Sequence, residues 1–237
     1  MRPDSYTINP VAECSVMLRF ELPITAQSLA LVGYTANLIR YQFQTSIMNV
    51  TPSYCSILVD YLPYRISESQ IIAQLHELML NTDEHQPSKL SPKTITLPTY
   101  YSHRVGPDIS RYESIGITLE TLIDLHTSDV YSVSAIGFAP SFAFLSGLNE
   151  KLKLPRLETP RVYVQKGSVG IADRQTAVYP NHSPGGWNII GNCPLELYRP
   201  DSAEICPFNI GDSVKFESID ESTFLSLGGV IKEADKQ

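Results

Sequence analysis

The chain has 237 residues, 43% of them apolar and 18% charged, and a formal net charge of −7. That length suits one large domain or two modest ones, and no apolar run is long enough to cross a bilayer. The acidic balance argues against an electrostatic nucleic-acid binder, and an opening stretch containing Asp4 and Glu13 does not read as a secretory signal.

In chain order, Val16, Leu18 and Phe20 alternate with Ser15, Met17 and Arg19, the pattern of a half-buried strand. Pro23 and Thr25 then open a helix to about Gln42, with Thr25 as N-cap. Strands are expected at 46–51 and 54–61 on either side of a Thr51-Pro52-Ser53 turn. In the second, Cys55, Ile57, Val59 and Tyr61 share a face. Ser67 to Gln70 has the form of a capping box, followed by an apolar stripe of Ile71, Ile72, Leu75, Leu78 and Met79. Residues 82–92 are polar, contain two prolines and read as a linker. Ile95 and Leu97 mark another strand, so the order becomes β-α-β-β-α-β, a ferredoxin-like arrangement. Whether the strand at 94–100 closes the first domain or opens the second stays open.

A short helical pair follows, with Asp108 as the candidate cap of one helix and Thr118 of a second running to about His126, and Gly116 between them. Glu120 and Asp124 in the second helix argue against DNA reading. From Tyr131 short strands are expected at 131–136, 161–164, 168–171, 176–179, 187–190, 194–198 and 213–217. Many short strands with frequent turn signals predict a barrel or sandwich, and the last dozen residues read as a frayed tail. Prolines (17) outnumber glycines (13), and Gly33 is the only glycine before Gly106. This asymmetry predicts two regions of different architecture, 1–92 including the linker and 93–237.

Familiar catalytic signatures are absent: no phosphate loop, no G-x-G-x-x-G after a strand, no H-E-x-x-H and no nucleophile elbow. Five scattered histidines form no metal cluster, and Cys14, Cys55, Cys193 and Cys206 lie too far apart for a zinc motif. Reduced thiols in a cytoplasmic protein are the expectation. Three loop segments are dense in Gly, Pro and aromatic residues: Gly137–Phe142, Gln175-Thr176, and Ser183-Pro184-Gly185-Gly186-Trp187. They read either as ligand loops or as turns of a β-barrel with a core tryptophan. The stretch from Lys151 to Arg174 holds six basic residues, Lys151, Lys153, Arg156, Arg161, Lys166 and Arg174, outnumbering the neighbouring acids Glu150, Glu158 and Asp173. Arg156 and Arg161 suit phosphate or carboxylate as planar donors, or belong to a solvated surface. His126 reads as an acid–base group or as a helix-end residue satisfying carbonyls.

At these same segments the chain resembles the bacterial 5-oxoprolinase B-subunit family, also called allophanate hydrolase subunit 1, which includes the KipI kinase inhibitor. The matching stretches are Leu97–Tyr101 with Gly106-Pro107-Asp108, Leu125-His126, Gly137-Phe138-Ala139-Pro140, Thr159-Pro160-Arg161, Gly167–Ala172, Gln175-Thr176, Tyr179-Pro180, Ser183–Trp187 and Gly211–Val214. The resemblance implies an α+β fold: a small ferredoxin-like N-terminal domain followed by a cyclophilin-like β-barrel. It implies a non-autonomous component that works with a C-subunit homologue and a separate A-subunit homologue in ATP-dependent opening of 5-oxoproline to glutamate. ATP, with or without Mg, is then held in the heteromeric complex rather than by this chain alone.

His126, Arg161 and Gln175 become candidate catalytic groups. Phe138, Pro140, Arg156, Thr176, Tyr179, Ser183, Gly185, Gly186 and Trp187 become candidate substrate or nucleotide contacts. The chain departs from the family pattern where glycine is expected at 102, 103, 141, 173, 174 and 177, and where Arg104 replaces a glutamate. A side chain in place of glycine closes off positive φ, so altered or lost activity is one expectation. The alternative is a regulatory protein that inhibits a sensor histidine kinase.

Overall fold

The computed structural model describes residues 5–81 and 92–231. The linker expected at 82–92 lies almost wholly outside the described residues, as does the end of the expected tail. The chain divides into two compact units, Met1–Lys93 and Thr94–Gln237.

The first unit runs β1 (Tyr6–Ala12), β2 (Ser15–Phe20), α1 (Ala26–Gln42), β3 (Ile47–Ser53), β4 (Ser56–Tyr61) and α2 (Glu68–Asn81). Its strands pair antiparallel in the order β1-β2-β4-β3. Period-two alternation buries Val16, Leu18 and Phe20 on β2 and Ile57, Val59 and Tyr61 on β4. Helical spacing adds Leu29, Val32, Ala36 and Ile39 from α1, and Ile71, Leu75, Leu78 and Met79 from α2. The Thr25 hydroxyl accepts from the Ser28 N–H at 3.2 Å and so caps α1. The capping box of α2 is complete: the Ser67 N–H donates to Gln70 Oε1 (2.9 Å), and the Gln70 N–H donates to Ser67 Oγ (3.3 Å).

Two expectations change here. The chain reverses at Tyr54-Cys55, not at Thr51-Pro52-Ser53. Pro52 has a fixed φ that suits an extended strand, and Tyr54 takes the positive φ of 51° that the turn requires. The ferredoxin-like order also counted the strand at 94–100 as the fourth of this sheet, but that place is taken by β1. Its residues are mostly exposed, so it lacks the apolar alternation that marks a strand in sequence.

The second unit begins with β5 (Thr94–Thr99), α3 (Ile109–Glu113) and α4 (Leu119–Thr127). Then come β6 (Tyr131–Ile136), β7 (Ala143–Ser146), β8 (Arg161–Val164), β9 (Ser168–Ala172), β10 (Gln175–Val178), β11 (Ser183–Gly185), β12 (Asn188–Asn192), β13 (Ser213–Ser218) and α5 (Glu221–Ser226). Pairing follows the order β5-β13-β6-β7-β10-β9-β12, antiparallel except for the parallel pair β5–β13. Tyr100, just after β5, and Asn192, ending β12, exchange two backbone bonds of 2.9 Å. The ladder therefore returns on itself, which removes open edges. β8 and β11 form a separate two-stranded sheet. No strand forms at 194–198, whereas β7, β11 and α5 are additions to the sequence reading.

Alternation splits the apolar residues of this ladder between two cores. Val169 and Ile171 of β9, Val178 of β10 and Ile190 of β12 join Leu97, Val133, Leu145, Val214 and Phe216 in the main core. Ala172, Ala177 and Ile189, on the opposite faces of the same strands, pack with Phe142, Val164, Tyr179 and Trp187 in a second cluster. Among the described residues no helix is long and apolar enough to cross a membrane.

Candidate functional site

The second cluster gathers the Gly- and aromatic-rich segments. Phe142 sets its ring edge-on to Tyr179 (centroids 5.2 Å) and Trp187 (5.6 Å), and Phe144 packs against Trp187 at 5.9 Å. Phe138 lies outside this layer, 65% exposed, with its ring 5.2 Å from Phe142 and 6.5 Å from Tyr179. The loop that presents it is closed by a Gly137 N–H to Phe142 C=O bond of 3.0 Å. Phe138 and Ser141 within it hold φ of 72° and 65°.

For a bulky aromatic residue such a backbone is an outlier, the kind that surrounding structure must over-determine and that clusters at functional sites. Ser141 and Asp173 (φ 50°) are two of the positions where the sequence resemblance predicts glycine. The expectation that side chains there would abolish positive φ is therefore corrected: the glycine-like backbone persists, at a cost of about 1 kcal/mol per site. Ser141→Gly should accordingly raise stability by about 1 kcal/mol, read from the urea midpoint. A lower midpoint would show that the Ser141 hydroxyl contact to the Ile205 carbonyl (3.4 Å) outweighs the strain.

Charged groups meet this cluster where β12 begins. Asp108 occupies the N-cap position of α3, but its carboxylate is not used on the helix. It accepts instead from Arg161 Nη2 at 2.7 Å and from the Ile189 N–H at 2.6 Å. Arg161 Nη1 reaches the Trp187 carbonyl at 3.4 Å. The Arg156 guanidinium lies 5.9 Å from the centroid of the Trp187 ring, within cation–π range. Arg111 donates to Asn188 Oδ1, while Asn188 Nδ2 donates to the carbonyls of Pro155 (3.0 Å) and Ile171 (2.9 Å).

Burial pushes the Tyr179 phenol up to about 12, against the opposing pull of a Trp187 backbone hydrogen bond and of Arg156 and Arg161. Gly185 must be glycine because a Cβ there would run into the Tyr179 hydroxyl. Gly185→Ala should cost about 1–3 kcal/mol as an overpacking change, with a matching loss in thermal midpoint. An unchanged midpoint would show that the hydroxyl moves freely.

The remaining candidates separate from this group. His126 and Thr176 lie on the main-core side, each with 0% exposure. Thr176 Oγ1 donates to the Gly170 carbonyl (3.0 Å) and so accepts from His126 Nε2 (2.9 Å); His126 Nδ1 then accepts from the Tyr101 hydroxyl (2.7 Å). Burial drives the imidazole down to about 3, so it is neutral. The His126 ring packs 4.3 Å from Phe216 and 5.4 Å from Tyr131. With no exposed surface and both nitrogens engaged, His126 and Thr176 are positioning residues for the ladder rather than groups that touch a surface ligand.

Gln175 is half-buried on β10, Pro140 is exposed beside the Phe138 loop, and the Gly186 carbonyl accepts from the Leu157 N–H at 2.7 Å. The Ser183 hydroxyl is buried and has no hydrogen-bond partner among the described residues. Tyr179 and Trp187 are 1% and 5% exposed, so they are buried members of the cluster rather than open walls. Sequence reasoning missed Arg111 and Asn188 and gave Asp108 only a capping role. The Gly106-Pro107-Asp108 run held the signal, because a Cβ at Gly106 would meet the Ile190 backbone at 2.5 Å. That close approach seats Asp108 against β12.

Departures at 102–104 have a local account. Arg104 Nη1 meets both Glu221 carboxylate oxygens (2.9 and 3.0 Å), and the Tyr100 hydroxyl donates to the same carboxylate at 2.8 Å. Phe224 of α5 stacks on Tyr100 at 5.2 Å. The positive charge at 104 thus has its counter-charge on α5.

Residues 6–208 match the family described as carboxyltransferase domain, subdomain C and D. The 5-oxoprolinase B subunit of Bacillus subtilis is 32% identical over 228 residues, which span 92% of this chain and 95% of that protein. The chain belongs to the 5-oxoprolinase B-subunit family. The crystal structure of TTHA0988 superposes on 87% of this chain with a TM-score of 0.74 and 29% identity. This chain spans only 40% of that longer one. Kluyveromyces lactis urea carboxylase shares the fold alone, with a TM-score of 0.66 and 14% identity over 93% of this chain and 22% of its own.

Proposed function

We propose that the chain is the B subunit of a multi-component 5-oxoprolinase that opens 5-oxo-L-proline to L-glutamate with ATP and water, releasing ADP and phosphate. One observation carries this reading: identity of 32% to the B. subtilis protein over nearly the whole length of both chains. The same name belongs to a relative in Escherichia coli O157:H7, 32% identical over 207 residues. These names favour the enzyme component over the kinase inhibitor.

A lactam is a stable amide, and ATP supplies the phosphoryl group that turns its carbonyl oxygen into a leaving group. This chain's contribution is a charged and aromatic surface. Arg156, exposed beside Trp187, offers planar donors to a carboxylate or phosphate, and Phe138 covers the apolar ring. Arg161 is held by Asp108 and fixes the edge of β12, the Gly185-Gly186 backbone leads into Trp187, and Gln175 sits on β10 next to Thr176. His126 and Thr176 hold the strand that carries Gln175. Homologues of the C and A components complete the site, and ATP binds in that assembly.

The test is reconstitution with both partner homologues, measuring ADP release with and without 5-oxoproline. Lactam-dependent ADP release, lost when this chain is omitted, is the expected result. An assembled complex that shows none would overturn the reading.

A further inference from the structure

We propose that Arg111, Arg156 and Arg161 frame a binding site for a phosphoryl dianion at the start of β12. Three guanidinium groups meet two consecutive residues there. Arg156 lies against the Trp187 ring, Arg161 reaches the Trp187 carbonyl, and Arg111 is bonded to the Asn188 side chain. Among the described residues the single carboxylate bonded into this group is the buried Asp108, which neutralises Arg161. Among the described residues neither Arg111 nor Arg156 enters an ion pair. Two positive charges therefore remain in excess, which matches a dianion.

These arginines differ from solvated surface cations in being held. Asn188 spends both amide protons on the carbonyls of Pro155 and Ile171, so its Oδ1 is fixed and orients Arg111. Hydrogen bonds to the Asp108 carboxylate and the Trp187 carbonyl orient Arg161, and the indole supports Arg156. Each guanidinium has five N–H donors, so all three keep donors for a ligand after these contacts. Rigid forks lose less side-chain freedom on binding than free lysines do. Tetrahedral phosphate oxygens suit three such donors better than one planar carboxylate does. The site deepens the reading of the chain as a 5-oxoprolinase component, and rests on that reading only for what carries the phosphoryl group.

The full chain alone is titrated with orthophosphate, with ATP and with 5-oxoproline, followed by calorimetry, at low and at moderate salt. Saturable orthophosphate binding is expected, weakened at least tenfold by Arg156→Gln and by Arg111→Gln and unchanged by Lys151→Gln in the same basic run. ATP binding more tightly than orthophosphate, with the same loss in Arg156→Gln, assigns the site to nucleotide. Equal affinities assign it to a free or acyl phosphate. Arg156 is exposed, so its variant folds even if Arg111→Gln does not. Absence of saturable binding, equal affinity in Arg156→Gln, or tighter binding of 5-oxoproline than of phosphate would each overturn the site. Lactam-dependent ADP release by the reconstituted complex would still stand in that event, so the two failures are separable.

Discussion

Replacing Asp108 with alanine is expected to lower the stability of the second unit by about 3 kcal/mol. The side chain is 5% exposed and serves two donors, Arg161 Nη2 at 2.7 Å and the Ile189 N–H at 2.6 Å. Its removal leaves a buried strand N–H without an acceptor and a guanidinium without its counter-charge. The figure sits at the low end for a broken buried pair because Arg161 is 31% exposed and water can reach it. Asp108→Asn keeps an acceptor for Ile189 and should lose about half as much. Urea unfolding of both variants decides the matter, and a loss below about 0.5 kcal/mol for alanine would show that water replaces the carboxylate. Strand β12 carries Trp187 at its approach and Asn188 at its start, so the same variant should also loosen the arginine cluster.

Stability is expected to fall by about 2 kcal/mol between pH 7 and pH 5 through His126 alone. The imidazole titrates at about 3 in the folded protein because it is buried, against about 6.5 when unfolded. Between those values the unfolded chain binds the extra proton, so stability is fully present above the unfolded value and drains away as pH falls toward the folded one. His126→Gln offers a donor and an acceptor at similar positions but no titration. Its unfolding free energy should therefore drop less over the same interval, by about 2 kcal/mol. Identical slopes for the two proteins would mean that His126 reaches water when protonated.

Elements with strong local codes were legible in the sequence. The helices over 26–42 and 68–81 carry an N-cap or capping box and an apolar stripe, and the strand over 15–20 alternates cleanly. What stayed hidden depended on contacts distant in the chain. β1 is mostly exposed and takes its place only by pairing with β2. Asp108 looks like a helix cap from its neighbours, yet its partners lie 53 and 81 residues away. Of the candidate site, the aromatic and arginine segments could be named from composition and family pattern. The sequence could not say that alternation along β10 would turn Thr176 inward to meet His126 of α4, with Tyr179 and Trp187 gathered in the other cluster. Nor could it say that Ser141 and Asp173 would take positive φ while carrying side chains.

The parallel pair β5–β13 carries a consequence for synthesis. Thr94 aligns with Ser213, so the strand that opens the second unit waits for one made more than a hundred residues later. Until β13 leaves the ribosome, β5 and β6 lack the strand that joins them, and Leu97 has no Phe216 beside it. Such distant pairing slows folding and leaves apolar strand surface open meanwhile. The nascent chain can fold its first unit early, while the second must finish in one late step.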